Sequence, residues 1–315
     1  MGPAYNARTM KLANEFVLTL SCPDAKGIVH AVSGLLYQAG CNIIDSQQFG
    51  DLLAEDSTGL FFMRVHFEAP EHLADPHTLD KLFSHVRGQF GMDAHIHALS
   101  RKPRVLIMAS KHGHCLNDLL FRWRSGWLPV DIPAIVSNHP DYAELAASYG
   151  IPFHHLPLPT GSSAEVKRAQ EQQVEALVQQ EAIDLVVLAR YMQILSPEFC
   201  AFLKGRAINI HHSFLPSFKG AKPYFQAHAR GVKLIGATAH YVTADLDEGP
   251  IIEQDIVRVT HAQSASDYVS LGRDVESQVL ARAIHAHANH RVFLNGNKTV
   301  VFPASPGSFS SERMG

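Results

Sequence analysis

Three side chains with complementary chemistry lie within residues 207–250. Asn209 and His211 are separated by one residue in the apolar run 207–211, which predicts a short strand. Alternation along a strand places both side chains on one face. Asp247 follows in a second, turn-rich segment at 245–250. An imidazole, a carboxamide and a carboxylate brought together could activate water and stabilise the oxyanion that forms at a carbonyl carbon.

The composition indicates a globular protein of about two domains. The chain has 315 residues, 46% of them hydrophobic, and a net charge of −3 with both signs interspersed. We therefore expect no nucleic-acid surface, and no apolar run approaches the ~20 residues of a membrane-spanning helix. The first residues lack the apolar core of a signal peptide. The four cysteines form no CxxC motif; they are Cys22, Cys41, Cys115 and Cys200. We expect a soluble, cytoplasmic protein with reduced thiols and no membrane contact.

Twenty histidines raise the question of a metal site. His95 and His97 could present two ligands on one face of a strand, and His211 adjoins His212. Neighbouring strand residues point to opposite faces, however, so His211 and His212 cannot readily share an ion. The sequence has no HExxH motif and no cysteine–histidine cluster. We expect packing and surface histidines, and no metal.

Residues 12–100 predict a small α/β domain. Strands are expected at 15–21, 42–50, 59–68 and 93–99. The third of them should place four apolar side chains on one face, namely Phe61, Met63, Val65 and Phe67. Two helices with apolar faces separate the strands, the first ending at Gly40. The order β-α-β-β-α-β is the ferredoxin-like arrangement.

Residues 104–303 predict a second, larger α/β domain, joined to the first by the polar, proline-containing segment 100–103. Short apolar runs alternate with helical segments, which is typical of a doubly wound, mostly parallel sheet with ligands beyond the carboxyl ends of its strands. The expected helices lie near 115–124, 140–149, 163–181, 197–204 and 264–289. A hairpin around Asn295-Gly296 completes this domain, and residues 304–315 should be a disordered tail.

Two motifs resemble the signature of folate-dependent formyltransferases and formyl hydrolases. They are Asn209-Ile210-His211-x-Ser213 and Leu246-Asp247-x-Gly249-Pro250. The longer segments INIHHSFLPSFKGAKPY and GVKLIGATAHYVTADLDEGPI resemble the formyltetrahydrofolate deformylase family. This resemblance implies a hydrolase that converts 10-formyltetrahydrofolate to formate and tetrahydrofolate, supplies formate for purine synthesis and balances the one-carbon folate pools. It implies no required cofactor, since the folate is the substrate.

The same resemblance implies roles for individual residues. His211 would stabilise the oxyanion and handle protons, Asn209 would donate a hydrogen bond to the same oxygen, and Asp247 would activate water or balance an imidazolium. Whether His211 or Asp247 holds the proton is left open. His212 and His240 are expected beside this group, with the role of His212 undetermined. The expected folate contacts are Leu188, Arg190, Met192, Ile194, Leu195, Val242 and Asp245, although Met192, Ile194 and Leu195 could instead be ordinary core residues. A loop with Lys219, Lys222 and Tyr224 should border the site, and Phe225 stands where relatives are expected to have histidine.

The N-terminal domain resembles an ACT domain in Cys22–Val29 and Gly40–Ile43. ACT domains are regulatory modules that often bind amino acids at subunit interfaces, so an amino-acid effector and a homo-oligomer, either a dimer or a tetramer, are implied. The effector residues would be Asp24, Lys26, Gly27, Ile28, Gly40 and Asn42. A helix N-terminus at 26–28 would favour a carboxylate. Alternatively, Asp24 only caps the helix and Gly40 only ends it.

Two alternatives to the hydrolase are a folate-dependent formyltransferase acting on a small amine and a non-catalytic folate or amino-acid sensor. Transferases that act on glycinamide ribonucleotide would need a glycine-rich phosphate loop after the first strand of the second domain. Here residues 109–116 contain one glycine and two histidines, which makes a phosphate nest doubtful. A basic C-terminal RNA-binding domain, expected in a transferase acting on tRNA, has no counterpart in the sequence. Water is therefore the expected acceptor.

Overall fold

The computed structural model describes residues 14–216 and 223–304. These residues form two compact units. The first comprises residues 14–102 together with 290–304, and the second comprises the described residues between 103 and 289. The boundary after Lys102 lies within the segment expected to be a linker. Residues 12–13, Lys219 and Lys222, and the expected tail from 305 onward lie outside the described residues.

The first unit contains a four-stranded antiparallel sheet with two helices. Its elements are β1 (Glu15–Pro23), α1 (Ile28–Gln38), β2 (Asn42–Gly50), β3 (Leu60–Glu68), a 3-10 turn (Glu71–Leu73), α2 (Pro76–Phe90) and β4 (Asp93–Ala98). The strand order is β2-β3-β1-β4. This confirms the ferredoxin-like arrangement, in which the two central strands are the first and third in the chain.

Both faces of β3 are buried, and each faces a different partner. Phe61, Met63, Val65 and Phe67 belong to the core that also contains the buried residues of α1 and α2, as the alternation in the sequence predicts. The opposite face presents Phe62, which packs against Phe293 and Phe302 in a separate apolar cluster. The sheet of the first unit is therefore covered on one side by its helices and on the other by a segment from much later in the chain.

That later segment is the terminal hairpin, β12 (Val292–Asn295) and β13 (Lys298–Val301). The hairpin is predicted to belong to the second domain, whereas in the structure it packs as part of the first unit. The physical reason is the cluster around Phe62, supported by Asp51, whose Oδ2 accepts hydrogen bonds from Thr58 and from Asn295 Nδ2 at 2.9 Å. Alternating patterns reveal that a strand exists but not which distant sheet it covers.

The second unit is a seven-stranded sheet flanked by helices. Its strands are β5 (Arg104–Ala109), β6 (Asp131–Ser137), β7 (Phe153–His155), β8 (Leu185–Ala189), β9 (Ala207–His211), β10 (Leu234–Tyr241) and β11 (Ile251–Arg258), in the order β11-β10-β9-β8-β5-β6-β7. Strands β5 to β9 pair in parallel, while β10 and β11 are antiparallel to their neighbours. This confirms the doubly wound, mostly parallel class. Among the described residues, no helix is long and apolar enough to cross a membrane.

The helices of the second unit are α3 (His114–Arg124), α4 (Ala143–Ser148), α5 (Ala164–Gln180), α6 (Pro197–Phe202), α7 (Pro223–Arg230) and α8 (Ala265–Ala288). Five of them lie where the sequence predicts helices. The helix α7 is the exception, because Tyr224 was expected in a loop and instead lies buried in this helix. The helix α8 begins at a capping box in which Ser264 and Asp267 each accept a hydrogen bond from the other's backbone N–H.

Candidate active site

Adjacent strands β9 and β10 bring the predicted catalytic side chains to the carboxyl edge of the parallel sheet. Asn209 and His211 lie on β9 with Ile210 between them, as the alternation requires. On the antiparallel neighbour β10, His240 is directly opposite Asn209, and Thr238 is directly opposite His211. The segment that follows β10 carries Asp247 back toward His211. The structure thus places Asn209, His211, His240 and Asp247 together.

His211 is held by one ring nitrogen. Its Nδ1 lies 3.1 Å from Oδ1 of Asp247. Its Nε2 is shielded from solvent and has no hydrogen-bond partner within the described chain. A buried polar atom without a partner is uncommon and often marks a group reserved for a ligand or for catalysis. Asp247 therefore fixes the orientation of the ring and leaves Nε2 for a reacting group.

Asp247 is the anion of this pair. Burial alone would raise the pKa of its carboxyl, but the hydrogen bond from His211 and the nearby imidazole of His240 hold the pKa well below the ordinary range. An ionised carboxylate accepts a hydrogen bond, so Nδ1 of His211 must carry the proton. A neutral His211 therefore has its lone pair on Nε2. This arrangement allows Nε2 to accept a proton while Asp247 balances the imidazolium that results.

His240 fixes the carboxamide of Asn209. The Nδ1 of His240 lies 2.9 Å from the backbone oxygen of Tyr241 and donates to it, so that a neutral His240 carries a lone pair on Nε2. The amide nitrogen of Asn209 lies 3.3 Å from this Nε2 and donates one hydrogen to it. The second amide hydrogen of Asn209 is available for an oxyanion. His240 Nε2 also lies 3.7 Å from Asp247 Oδ1.

The Asp247 loop has an unusual backbone conformation. Asp247 has a φ of +57°, a left-handed conformation that few non-glycine residues adopt. Two residues later, a Cβ on Gly249 would overlap the carbonyl oxygen of Tyr241. The backbone N–H of Tyr241 donates to the oxygen of Pro250 at 2.9 Å, which closes the loop. Gly249 thus permits the close approach that places Asp247 against His211.

A polar network from β10 and β11 holds the loop that follows His211. The hydroxyl of Thr238 donates to the backbone oxygen of Ser213 at 2.9 Å and accepts from the backbone N–H of Leu215 at 3.0 Å. The side-chain amide of Gln254 donates to the same hydroxyl and to the oxygen of Leu215. Sequence reasoning missed Thr238 and Gln254, and only their register on antiparallel strands could have indicated them.

His212 lies next to the catalytic ring but in a different environment. Its ring centroid is 5.1 Å from that of His211 and 6.3 Å from that of Tyr224. Burial, reinforced by the charge of Arg190, lowers the pKa of His212 to about 4. His212 is therefore neutral near pH 7, so it can accept a hydrogen bond but adds no positive charge beside His211.

The segment after β8, expected to hold folate, divides into exposed and buried side chains. Met192 and Ile194 are 52% and 62% exposed, so they are not ordinary core residues. Leu188 is buried, and Leu195 and Val242 pack against the same core as Leu188. Asp245 is exposed in the Asp247 loop. Exposed apolar side chains above a buried apolar layer are typical of a groove for a flat, partly apolar ligand.

Arg190 differs from Met192 and Ile194 of the same segment, because it is buried at 8% exposure and has a φ of +62°. Its Nε lies 3.3 Å from a carboxylate oxygen of Glu276 on α8, which is itself 1% exposed. Glu276 also lies 2.8 Å from His114 Nε2 and accepts from the Tyr224 hydroxyl at 2.6 Å. We call Arg190, His114, Tyr224 and Glu276 the Glu276 cluster. Sequence reasoning missed it.

The charge state of the Glu276 cluster follows from its contacts. Burial opposes ionisation of Glu276, but the hydrogen bond from His114 and the charge of Arg190 hold the pKa of the carboxyl below its usual range. Cys115 also lies near, and the ligand atoms of His114, Cys115 and Glu276 fall within 4.8 Å of one another. The guanidinium beside Glu276 and the burial that raises the pKa of the Cys115 thiol both oppose a second cation there.

The residues expected to bind an effector lie at opposite ends of α1, with residues 24–28 at its start and Gly40 and Asn42 after its last turn. Gly27 is the N-cap of α1 with a φ of +96°, and no side chain caps this helix, so Asp24 is not its cap. Gly40, with a φ of +75°, follows the last turn, which agrees with its expected role in ending the helix. Asp24, Lys26 and Asn42 are exposed, whereas Ile28 is part of the core.

Comparison with known proteins gives concordant matches. The formyl transferase family model matches residues 103–284. A formyltetrahydrofolate deformylase of Corynebacterium sp. strain P-1 is 49% identical over 90% of this chain and 97% of that protein. The crystal structure of formyltetrahydrofolate deformylase from Burkholderia mallei has 53% identity and a TM-score of 0.85, and the match covers 92% of this chain and all of that one.

More distant structures match a smaller share of the chain. Glycinamide ribonucleotide transformylase 1 of Symbiobacterium toebii is 29% identical with a TM-score of 0.60, over 64% of this chain and 95% of that one. The strands β8 to β10 and the motifs around His211 and Asp247 all lie in the part matched by the family model. The high identity of the first group, over nine-tenths of the chain, includes both units. The chain therefore belongs to the formyl transferase family and, within it, to the formyltetrahydrofolate deformylases.

Proposed function

We propose that Asn209, His211 and Asp247 hydrolyse 10-formyltetrahydrofolate in this chain and release formate and tetrahydrofolate. The observation that carries the assignment is the pairing of His211, whose Nδ1 meets an ionised Asp247 while Nε2 has no partner in the described chain. This is the geometry of a general base held ready for water. Release of formate suits a supply role in purine synthesis and a balance of the one-carbon folate pools.

The reaction proceeds in two steps. A water oxygen attacks the formyl carbon, and its proton passes to His211 Nε2 while Asp247 balances the imidazolium. The formyl oxygen becomes an oxyanion that accepts the second amide hydrogen of Asn209, a contribution of roughly 3 kcal/mol for one such donor. The carbon–nitrogen bond then breaks, His211 returns the proton to the folate nitrogen, and formic acid loses its own proton to solvent. Asp247 thus acts as the partner of the imidazole, and His211 handles the proton.

The folate groove is proposed along the segment after β8 and the Asp247 loop. Met192 and Ile194 supply exposed apolar surface, while Leu188, Leu195 and Val242 form the wall beneath. Backbone groups of this segment, together with Asp245, would hold the polar edge of the pterin. No cofactor or metal is proposed, because a base, an oxyanion donor and a counter-charge are all supplied by side chains.

Self-association is proposed through the first unit. The edge strand β2 and the loop after it expose five large apolar side chains, namely Ile43, Ile44, Phe49, Leu52 and Leu53. An exposed apolar edge strand favours pairing with a second copy. An ACT-type amino-acid effector is proposed near the open N-terminus of α1, where a carboxylate would meet backbone N–H groups. A cytoplasmic location is proposed on the free thiols of all four cysteines.

The first experiment incubates purified, chelator-treated protein with 10-formyltetrahydrofolate and no amine acceptor. Formate and tetrahydrofolate should appear in equal amounts over many turnovers, with Asp247→Asn as the matched inactive control. If formate does not exceed one equivalent of protein, the hydrolase assignment is wrong. A formylated product that appears only after small amines are added would identify a transferase, and folate binding without either product would identify a sensor.

A further inference from the structure

The Glu276 cluster lies outside the proposed catalytic group and has an unusual balance of donors and acceptors. One buried carboxylate is contacted by a guanidinium, an imidazole and a phenol. His114 and Tyr224 form hydrogen bonds with Glu276, whereas Arg190 approaches it only at ion-pair distance. The cluster therefore has a surplus of donors.

Arg190 holds that surplus. Its Nε is within ion-pair distance of Glu276, yet neither Nε nor Nη1 forms a hydrogen bond with any described residue, and both atoms are shielded from solvent. An unmade hydrogen bond at a buried charged group costs about 1–3 kcal/mol or more. A side chain held in this state, on a left-handed backbone at φ +62°, has an arrangement typical of ligand sites.

The position of Arg190 relates it to the reaction. In the parallel pair β8–β9, Leu188 is in register with Asn209. Arg190 is two residues beyond Leu188, just as His211 is two residues beyond Asn209, so both lie at the same edge of adjacent strands. The charge of Arg190 also acts on His212, whose ring adjoins that of His211. The guanidinium therefore acts on the ring that adjoins His211, at the sheet edge where hydrolysis is proposed.

We propose that Arg190, held by Glu276, forms a binding site for a one-carbon carboxylate, the formate that leaves the catalytic group. This inference rests on the proposed function in naming formate as the product. A guanidinium is the usual protein donor for a carboxylate. Since both unpartnered nitrogens of Arg190 are shielded from solvent, we assign the site to the smallest carboxylate and not to the bulky carboxylates of a folate tail.

Glu276 sets the strength of this site. Its negative charge offsets most of the attraction that Arg190 exerts on an anion, so formate should bind only weakly, with a Kd in the millimolar range (about −4 kcal/mol). Weak binding is useful here because the product must leave before the next turnover. Formate binding should therefore respond in opposite directions to loss of Arg190 and to neutralisation of Glu276.

The test measures binding of sodium formate to the resting protein, without folate, by calorimetry or by line broadening of ¹³C-formate at constant ionic strength. Glu276→Gln should tighten binding by about 5- to 10-fold (about 1–1.4 kcal/mol), since it removes the carboxylate charge that repels formate and keeps the guanidinium. The double variant Arg190→Gln/Glu276→Gln should weaken binding at least 10-fold relative to Glu276→Gln. The double variant removes both charges, so it leaves no unpaired buried ion to unfold the protein.

Arg168→Gln, which removes an arginine paired with Glu175 on α5, is the matched control and should not change formate binding. Equal affinities in all four proteins, or no binding to wild type at high formate concentration, would overturn the proposal. Chloride binding as tight as formate would also overturn it. Because no turnover is needed, a protein that hydrolyses the folate but does not bind formate refutes this inference alone. A protein that binds formate but releases none from the folate refutes the proposed function alone.

Discussion

The two ring nitrogens of His211 have different surroundings, and in the proposed mechanism this difference sets the direction of proton transfer. Nδ1 faces the carboxylate of Asp247, while Nε2 has no partner in the described part of the chain. A second histidine, His240, orients the amide of Asn209 through the register of β9 and β10. Each catalytic atom is therefore fixed by one neighbour and open on one side.

Asp247→Asn should lower kcat by about 10³- to 10⁴-fold while the Kd for folate changes only a few-fold. An amide can still accept from Nδ1, but it cannot balance an imidazolium, and it can select the wrong tautomer. Steady-state kinetics combined with equilibrium binding of a non-hydrolysable folate separate the two quantities. Equal losses in binding and in kcat would instead assign a structural role to Asp247.

His212 makes the stability of the fold depend on pH. Its pKa is about 4 in the folded state and about 6.5 in an unfolded chain. Between these values the unfolded chain binds more protons, so stability is lost as the pH falls from about 6.5 to about 4, by up to about 3 kcal/mol. His212→Gln should flatten the decline of Tm over this window.

The exposed His77, at the start of α2, gives a matched control, and His77→Gln should leave the slope unchanged. Part of the slope should persist in His212→Gln because burial also lowers the pKa of His287 to about 4. A slope identical to that of wild type would show that His212 is protonated equally well in the folded and unfolded chains.

The sequence predicts that Asn209, His211 and Asp247 lie together, because each is encoded locally. Asn209 and His211 share a face through strand alternation, and Asp247 lies in a turn-rich motif. The Glu276 cluster has no such local signal. Its partners Tyr224 and His114 are 52 and 162 positions away from Glu276, and only the packing of α8 against the sheet and the other helices brings them together. The same limit applies to the burial of Arg190, which the segment after β8 does not distinguish from its exposed neighbours.

The Asp247 loop is shaped by a close approach of backbone atoms as well as by hydrogen bonds. Gly249→Ala would place a methyl group on top of the Tyr241 oxygen, so the loop must move. We expect kcat to fall by at least about 10-fold, since small displacements of catalytic groups are costly. Circular dichroism should show an intact fold. Full activity in this variant would mean that the loop closes differently from the structure.

Gly88→Ala, in the helix α2, is the control for Gly249→Ala because it adds the same methyl group away from the proposed site. Gly88 lies on the exposed side of α2, and a Cβ there meets no atom within 4 Å. The substitution should stabilise the protein by about 0.5–1 kcal/mol through helix propensity. Thermal denaturation would detect the rise in Tm, and kinetics should be unchanged.

Across the whole molecule, the chain passes from the first unit to the second and then returns. Residues 290–304 complete the first unit by covering Phe62 with Phe293 and Phe302. The sequence predicts both strands of this hairpin but not their partner, because a short apolar pattern does not specify which distant surface it covers. The first unit is therefore assembled from two parts that are far apart in the sequence.

Phe293→Ala should destabilise the first unit by about 3 kcal/mol, because it removes a buried ring from the cluster with Phe62. Leu294, the next residue on β12, is 46% exposed, and Leu294→Ala should change stability by less than about 0.5 kcal/mol. Hydrogen exchange of β3 in the two variants would measure the difference. Equal protection in both would show that the hairpin contributes little to the first unit.

The return of the chain also determines when the first unit can finish folding in the cell. Its sheet emerges early from the ribosome, but the segment that covers Phe62 is made only after residues 103–289. At 5–20 residues per second this interval lasts about 10–40 s. Throughout it, the nascent chain carries an uncovered apolar sheet face, which is a binding surface for chaperones and a site for premature association between neighbouring chains on one messenger RNA.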